Sequence, residues 1–222
     1  MEQYPRVIEF YGLPGVGKST VCDRLIGNDK RYVKIKDVMV QYNNEHFIFK
    51  ITHLPIKRWL KFTSFLLSLS GRNKNSIDEY LTFYYQVLAY SYCCTKMQGV
   101  TLVMDHGLVQ QLGSILHNMD FAISYNSLHK FSKFLHSMRP LHIIYSRLSE
   151  EDALKRMRER KRDSGRIDAV MNDTEKALYL LQKERELFEE CYNTNKDIIE
   201  ILDMSKTKET IIKDLSTILS EI

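Results

Sequence analysis

The amino-acid sequence predicts an α/β fold, a five-stranded parallel sheet with helices on both faces. Three observations predict it. Short β-rich runs alternate with longer amphipathic ones along the whole chain. The run Val100 to Asp105 (VTLVMD) carries only Thr101 besides apolar residues before its final acid, as expected of a strand covered on both faces. A glycine-rich turn joins the first β-rich run to a helical pattern, which is the strand–loop–helix order of a phosphate-binding unit.

The elements follow in order. Arg6 to Tyr11 (RVIEFY) is the first strand, and Lys18 to Ile26 a helix that ends near Gly27 and Asn28. Tyr32 to Lys36 is a second strand. A helix over Ile56 to Leu69 is the one readable element in the stretch 37–74. Ser76, with Glu79 three residues on, forms a capping box for a helix that runs to about Gln98 and stops at Gly99. The strand Val100 to Asp105 comes next, then helices over Leu108 to Leu116 and Ser124 to His136, then a strand at Leu141 to Ser146. Ser149 caps a helix extending to about Arg162, with Glu150, Glu151 and Asp152 in the first turn, where the helix dipole favours acids. Asp163 to Ala169 reads as a loop, Asp173 to Tyr192 as a long helix, Ile198 to Leu202 as the fifth strand and Lys208 to Leu219 as the last helix.

Length and composition suit a single domain spanning 1–222. Four cysteines, Cys22, Cys93, Cys94 and Cys191, show no C-x-x-C spacing, so they read as reduced thiols of a cytoplasmic protein and not as zinc ligands. No run reaches the ~20 apolar residues that span a bilayer, and no basic start precedes an apolar stretch, so neither an anchor nor a signal peptide is expected. The net charge of +4 argues for no partner by itself. The stretch 46–77 has no acid and carries Lys50, Lys57, Arg58, Lys61, Arg72 and Lys74.

The chemistry sits in Gly12-Leu13-Pro14-Gly15-Val16-Gly17-Lys18-Ser19, an unbroken match to G-x-x-x-x-G-K-[ST]. Glycines let the backbone wrap a phosphate with its N–H groups inward, and the helix that begins at Lys18 adds its positive end. Lys18 is expected to reach the β- and γ-phosphates of ATP, Ser19 to take a Mg²⁺ position, and Thr20 to continue the same turn. Asp105, at the end of a strand, is the candidate metal carboxylate. Arg156, Arg158, Arg160, Arg162 and Arg166 form a basic cluster able to neutralise charge on a transferred phosphoryl group.

With these residues in place, the layout resembles the nucleoside and nucleotide kinases of the P-loop class, thymidylate and deoxynucleoside kinases above all. The resemblance implies a three-layer P-loop NTPase fold with strand order 2-3-1-4-5. It also implies a helical region over the acceptor at about 37–74 and a lid at about 153–169 (ALKRMRERKRDSGRID), whose Arg156, Arg160 and Arg166 face ATP. His106 follows Asp105 where thymidylate kinases carry Arg, and Lys36-Asp37-Val38-Met39 stands where they carry an Arg-x-Pro-like element. Deoxynucleoside kinases place an acid near the position of Asp37 as the base that deprotonates the acceptor hydroxyl, and a capping or turn aspartate is the competing reading.

The expected activity is transfer of the γ-phosphoryl group of ATP to a nucleotide, nucleoside or similar small acceptor. An ATP-binding regulatory module and a polynucleotide kinase are the alternatives. A nucleic-acid partner ranks last because the net charge is small. The helix at Trp59 to Leu69 reads equally as core, as a pocket cover or as a homodimer contact.

Overall fold

The structure is a computed structural model that describes residues 6–35, 37, 38, 40, 56–69, 77–96, 99–117, 121–138, 141–160 and 167–221. Five parallel strands form one sheet: β1 (Arg6–Tyr11), β2 (Tyr32–Lys34), β3 (Thr101–Met104), β4 (Leu141–Arg147) and β5 (Ile199–Asp203), in the spatial order β2-β3-β1-β4-β5. This is the predicted order. β1 lies at the centre, with Glu9 opposite Met104 of β3 and opposite Ile143 of β4. β2 and β3 are shorter at their ends than the sequence suggested, since Ile35 already has helical backbone and Asp105 lies in a bend.

The helices are α1 (Lys18–Asn28), α2 (Ile56–Leu69), α3 (Ile77–Lys96), α4 (Leu108–His117), α5 (Tyr125–Ser137), α6 (Glu150–Glu159), α7 (Thr174–Thr194) and α8 (Lys208–Glu221). Successive side chains of a strand point to opposite faces. In β1, Glu9 and Tyr11 face α4 and α7, where Tyr11 meets Phe188 edge-on at 5.3 Å. Ile8 and Phe10 point the other way and are equally buried, so both faces of the sheet are covered. Beyond α4, the rings of Phe62, Phe65, Phe83, Phe131 and Phe134 from α2, α3 and α5 fill one continuous aromatic core. The aromatic-rich helix α3 is therefore mainly packing: Phe83, Tyr90 and Tyr92 are buried, while Tyr85 is exposed.

Several ends follow the capping chemistry. Ser124, Ser149 and Asp173 accept the N–H groups of Ser127, Asp152 and Lys176 and start α5, α6 and α7. α1 ends at Asn28 as expected, with Asp29 as its cap, whose N–H still reaches Leu25. Two boundaries differ from expectation. α6 stops at Glu159 with Arg160 as its cap, and Asp168–Val170 form a 3₁₀ turn and not open loop. The capping residue Ser76 falls outside the described residues. All four cysteines are free and buried. No helix of the described residues is long and apolar enough to cross a membrane.

Candidate functional site

The site forms where the carboxyl ends of β1 and β3 meet the start of α1. Gly17 takes a left-handed φ of 104° immediately before α1, and no side chain caps that helix start. The first N–H groups of a helix have no partner within it, so an uncapped end is a place for an anion. The Lys18 ammonium folds back and donates to the carbonyls of Gly12 at 2.6 Å and Leu13 at 2.9 Å. Desolvation inside the loop pushes its pKa down to about 8, against the opposing pull of Glu184, Cys22 and Asp105. Gly12 itself is buried under the loop, and its N–H donates to the Gln110 side-chain oxygen at 3.2 Å.

A cleft of about 860 Å³ opens above the loop. It is lined by the loop and first turn, Pro14, Gly15, Val16, Gly17, Lys18, Ser19 and Thr20, together with Asp105, Arg156 and Arg160. The structure thus brings most of the residues singled out in the sequence to one surface. Asp37 is exposed and does not line this cleft, and Arg166 lies outside the described residues. Arg156 already has carbonyl partners: it donates to Val16 at 3.1 Å and to Met204 at 2.9 Å, tying the loop to the end of β5. Arg160 is exposed at the cleft, one turn further on.

The donor set suits Mg²⁺. Among the described residues no cluster of three or more His, Cys, Asp or Glu side chains could hold a metal by itself. Mg²⁺ takes most of its ligands from phosphates and water and only one or two from protein. A carboxylate at Asp105 and a hydroxyl at Ser19 on the same cleft match that demand.

The fold has solved neighbours. Deoxyadenosine kinase from M. mycoides with the products dCMP and a flexible dCDP matches over 97% of this chain and 100% of that one, with TM-score 0.58 at 14% identity. The same enzyme with dATP matches over 96% and 99% with TM-score 0.54 at 17% identity. With dCTP it matches over 97% and 100% with TM-score 0.51 at 16% identity. The chain shares the fold of these deoxyadenosine kinase structures. No protein-family profile matches the sequence, and no curated protein does.

Around the phosphate loop stand residues that motif reading passed over. Gln110 accepts from Gly12 and donates to the buried Glu184 at 3.3 Å, and Gln86 donates to the His106 carbonyl at 2.8 Å. Glu9 is fully buried in the central strand and its Oε1 accepts the Val109 N–H at 2.6 Å. An acid in the middle of the apolar run RVIEFY was the available signal for it.

Burial pushes the Glu9 carboxyl up from 4.5 to about 7, while the N–H groups of Val109, Leu108 and Gln110 pull it back. The folded state therefore binds this proton more tightly than the unfolded chain. The resulting stability is fully present below about pH 4.5 and is lost as pH rises through about 7. Glu9 should account for a fall of about 3 kcal/mol across that window. Urea unfolding at pH 4.5 and pH 7.5 should show this component in the wild type and not in Glu9→Gln. Equal pH slopes for the two proteins would refute it.

Proposed function

We propose that this protein is an ATP-dependent kinase that uses Mg²⁺ and transfers the γ-phosphoryl group to a nucleoside, nucleotide or similar small acceptor. The observation that carries the reading is the convergence of the phosphate loop, Asp105 and Arg160 on one cleft. In support, the neighbours of the same fold bind deoxynucleotides. The N–H groups at the start of α1 and the Lys18 ammonium hold the β- and γ-phosphates. Asp105 and Ser19 would hold Mg²⁺, which would supply positive charge against the phosphates. Arg160, with Arg166, stabilises the equatorial oxygens during transfer. Residues 37–74 cover the acceptor and 153–169 act as the lid of a single domain. The protein works in the cytoplasm on a small molecule and not on nucleic acid. It pairs as a homodimer through the exposed stripe Ile56, Leu60 and Leu67 of α2.

The deciding experiment incubates the protein with ATP, Mg²⁺ and a panel of deoxynucleosides, nucleosides, their monophosphates and sugars. Phosphorylated product is expected with at least one member, first among the deoxynucleosides. Tight ATP binding without product from any acceptor overturns the kinase reading and favours a nucleotide-gated module. On the productive acceptor, Asp105→Asn should lower kcat on the order of 100-fold, through lost metal positioning. A kcat equal to that of the wild type would remove Asp105 from the site.

A further inference from the structure

Glu9 has no place in the phosphate-handling set, yet its surroundings are built around it. The residue is fully buried and lies in register with Met104, the neighbour of Asp105. Its carboxyl takes the N–H of Val109 in the first turn of α4. Gly107 completes the fit, because a Cβ there would stand 2.4 Å from the Glu9 carboxyl carbon. No side chain larger than hydrogen can occupy 107 while Glu9 keeps this position. Glu9 Oε2 has no hydrogen-bond partner among the described residues. A buried carboxylate with one oxygen unpartnered is costly to the fold, so a role other than stability is the reason to look for.

The same helix start makes a second tie to β1. Gln110, one residue beyond Val109, accepts the Gly12 N–H. Gly12 follows directly on β1, three residues beyond Glu9 and so up to roughly 10 Å away along the chain, so β1 and the start of the loop grip α4 at two separate points. The turn carrying Asp105, His106 and Gly107 runs directly into this anchored end, and Gln86 of α3 holds the His106 carbonyl from the other side.

We propose that Glu9 is a positioning residue, which anchors the first turn of α4 and so fixes Asp105 in register with the phosphate loop. The inference rests on the reading of Asp105 as the metal carboxylate. Tyr11 and Cys191 are the titratable neighbours that act on Glu9 or are acted on by it, and burial keeps both neutral near pH 7. Of these three groups only Glu9 becomes charged near neutral pH, and it does so as pH rises through about 7. Loosening the anchor should let the Asp105 turn shift while the loop stays whole, and that separates metal binding from phosphate binding.

The test is ATP binding by calorimetry with Mg²⁺ and with EDTA, at about pH 8 where the Glu9 carboxyl is ionised, and well below the unfolding temperature of each protein. In the wild type Mg²⁺ should tighten ATP binding. In Glu9→Gln, which keeps the shape and loses the charge, that Mg²⁺-dependent gain should fall roughly tenfold, with binding in EDTA unchanged. Gln110→Leu, which cuts the tie to Gly12, should instead weaken binding in EDTA. Glu9→Asp keeps the charge and withdraws it by one methylene. It should lose the gain as well, and it serves if Glu9→Gln does not fold. A Mg²⁺-dependent gain equal to the wild-type value in a folded Glu9 variant overturns the proposal and leaves Glu9 a packing residue. A wild type that binds ATP no better with Mg²⁺ than without it overturns the assignment of Asp105, and the proposal with it.

Discussion

Lys18→Met should abolish phosphoryl transfer, lowering turnover at least about 1,000-fold, and should leave the ligand-free protein no less stable than the wild type. The two halves of this expectation have one cause. The Lys18 ammonium sits half-buried against two carbonyls of the loop, and desolvation lowers its pKa to about 8. A lysine with a depressed pKa costs the fold stability while it is charged. The cost is present at neutral pH and is relieved as pH rises from about 8 towards the ordinary lysine value of 10.5. Methionine fills the stem's space and removes that cost, although the carbonyls of Gly12 and Leu13 lose a donor. The polyphosphate of ATP reverses the balance by supplying charges that only a cation can match. Turnover and thermal unfolding at pH 7 and pH 9.5 check both halves. Retained activity would remove Lys18 from the chemistry. A melting temperature far below the wild-type value would mean that the carbonyl contacts outweigh the buried charge.

The part of the molecule that could be read in advance is the part whose local sequence has one physical solution. The pattern from Gly12 to Ser19 admits little besides a strand–loop–helix turn, and the strand order 2-3-1-4-5 followed from the kinase resemblance it supports. Ser149 announced the start of α6 because its side chain satisfies an N–H group three residues on. What stayed hidden depends on distant partners. Arg156, which the kinase resemblance placed facing ATP, lines the cleft, and its guanidinium also meets carbonyls 140 and 48 residues away in sequence, contacts that no local window shows. Glu9 and Gln110 carry no motif. Their importance comes from the packing of α4 on β1, which no window of sequence contains. Asp37 had a place by resemblance only, and nothing local fixed whether it would reach the cleft that holds Asp105.

Two glycines of the phosphate loop should respond very differently to alanine, because they serve different needs. At Gly12 the backbone has φ 145°, and a Cβ would stand 2.3 Å from the Ser146 carbonyl oxygen. That oxygen belongs to β4, which pairs with β1 through Tyr11 opposite Tyr145, so it cannot move without opening the centre of the sheet. Backbone strain and overlap together should cost about 4 kcal/mol or more, a large share of what holds a domain folded. At Gly17 the φ of 104° is also unfavourable for alanine, but the nearest atom is the flexible end of Met204 at 3.3 Å. A cost of about 1–2 kcal/mol is expected there, with the fold intact. Chemical denaturation of Gly12→Ala and Gly17→Ala reads the difference directly. The ordering matters more than either value. If Gly17→Ala unfolds first, the contact between the end of β1 and β4 is not the tight one seen here. If Gly12→Ala collapses while Gly17→Ala folds and binds ATP weakly, the first glycine of the motif belongs to the sheet and the later one to the nucleotide. The site would then begin one turn beyond where the motif does.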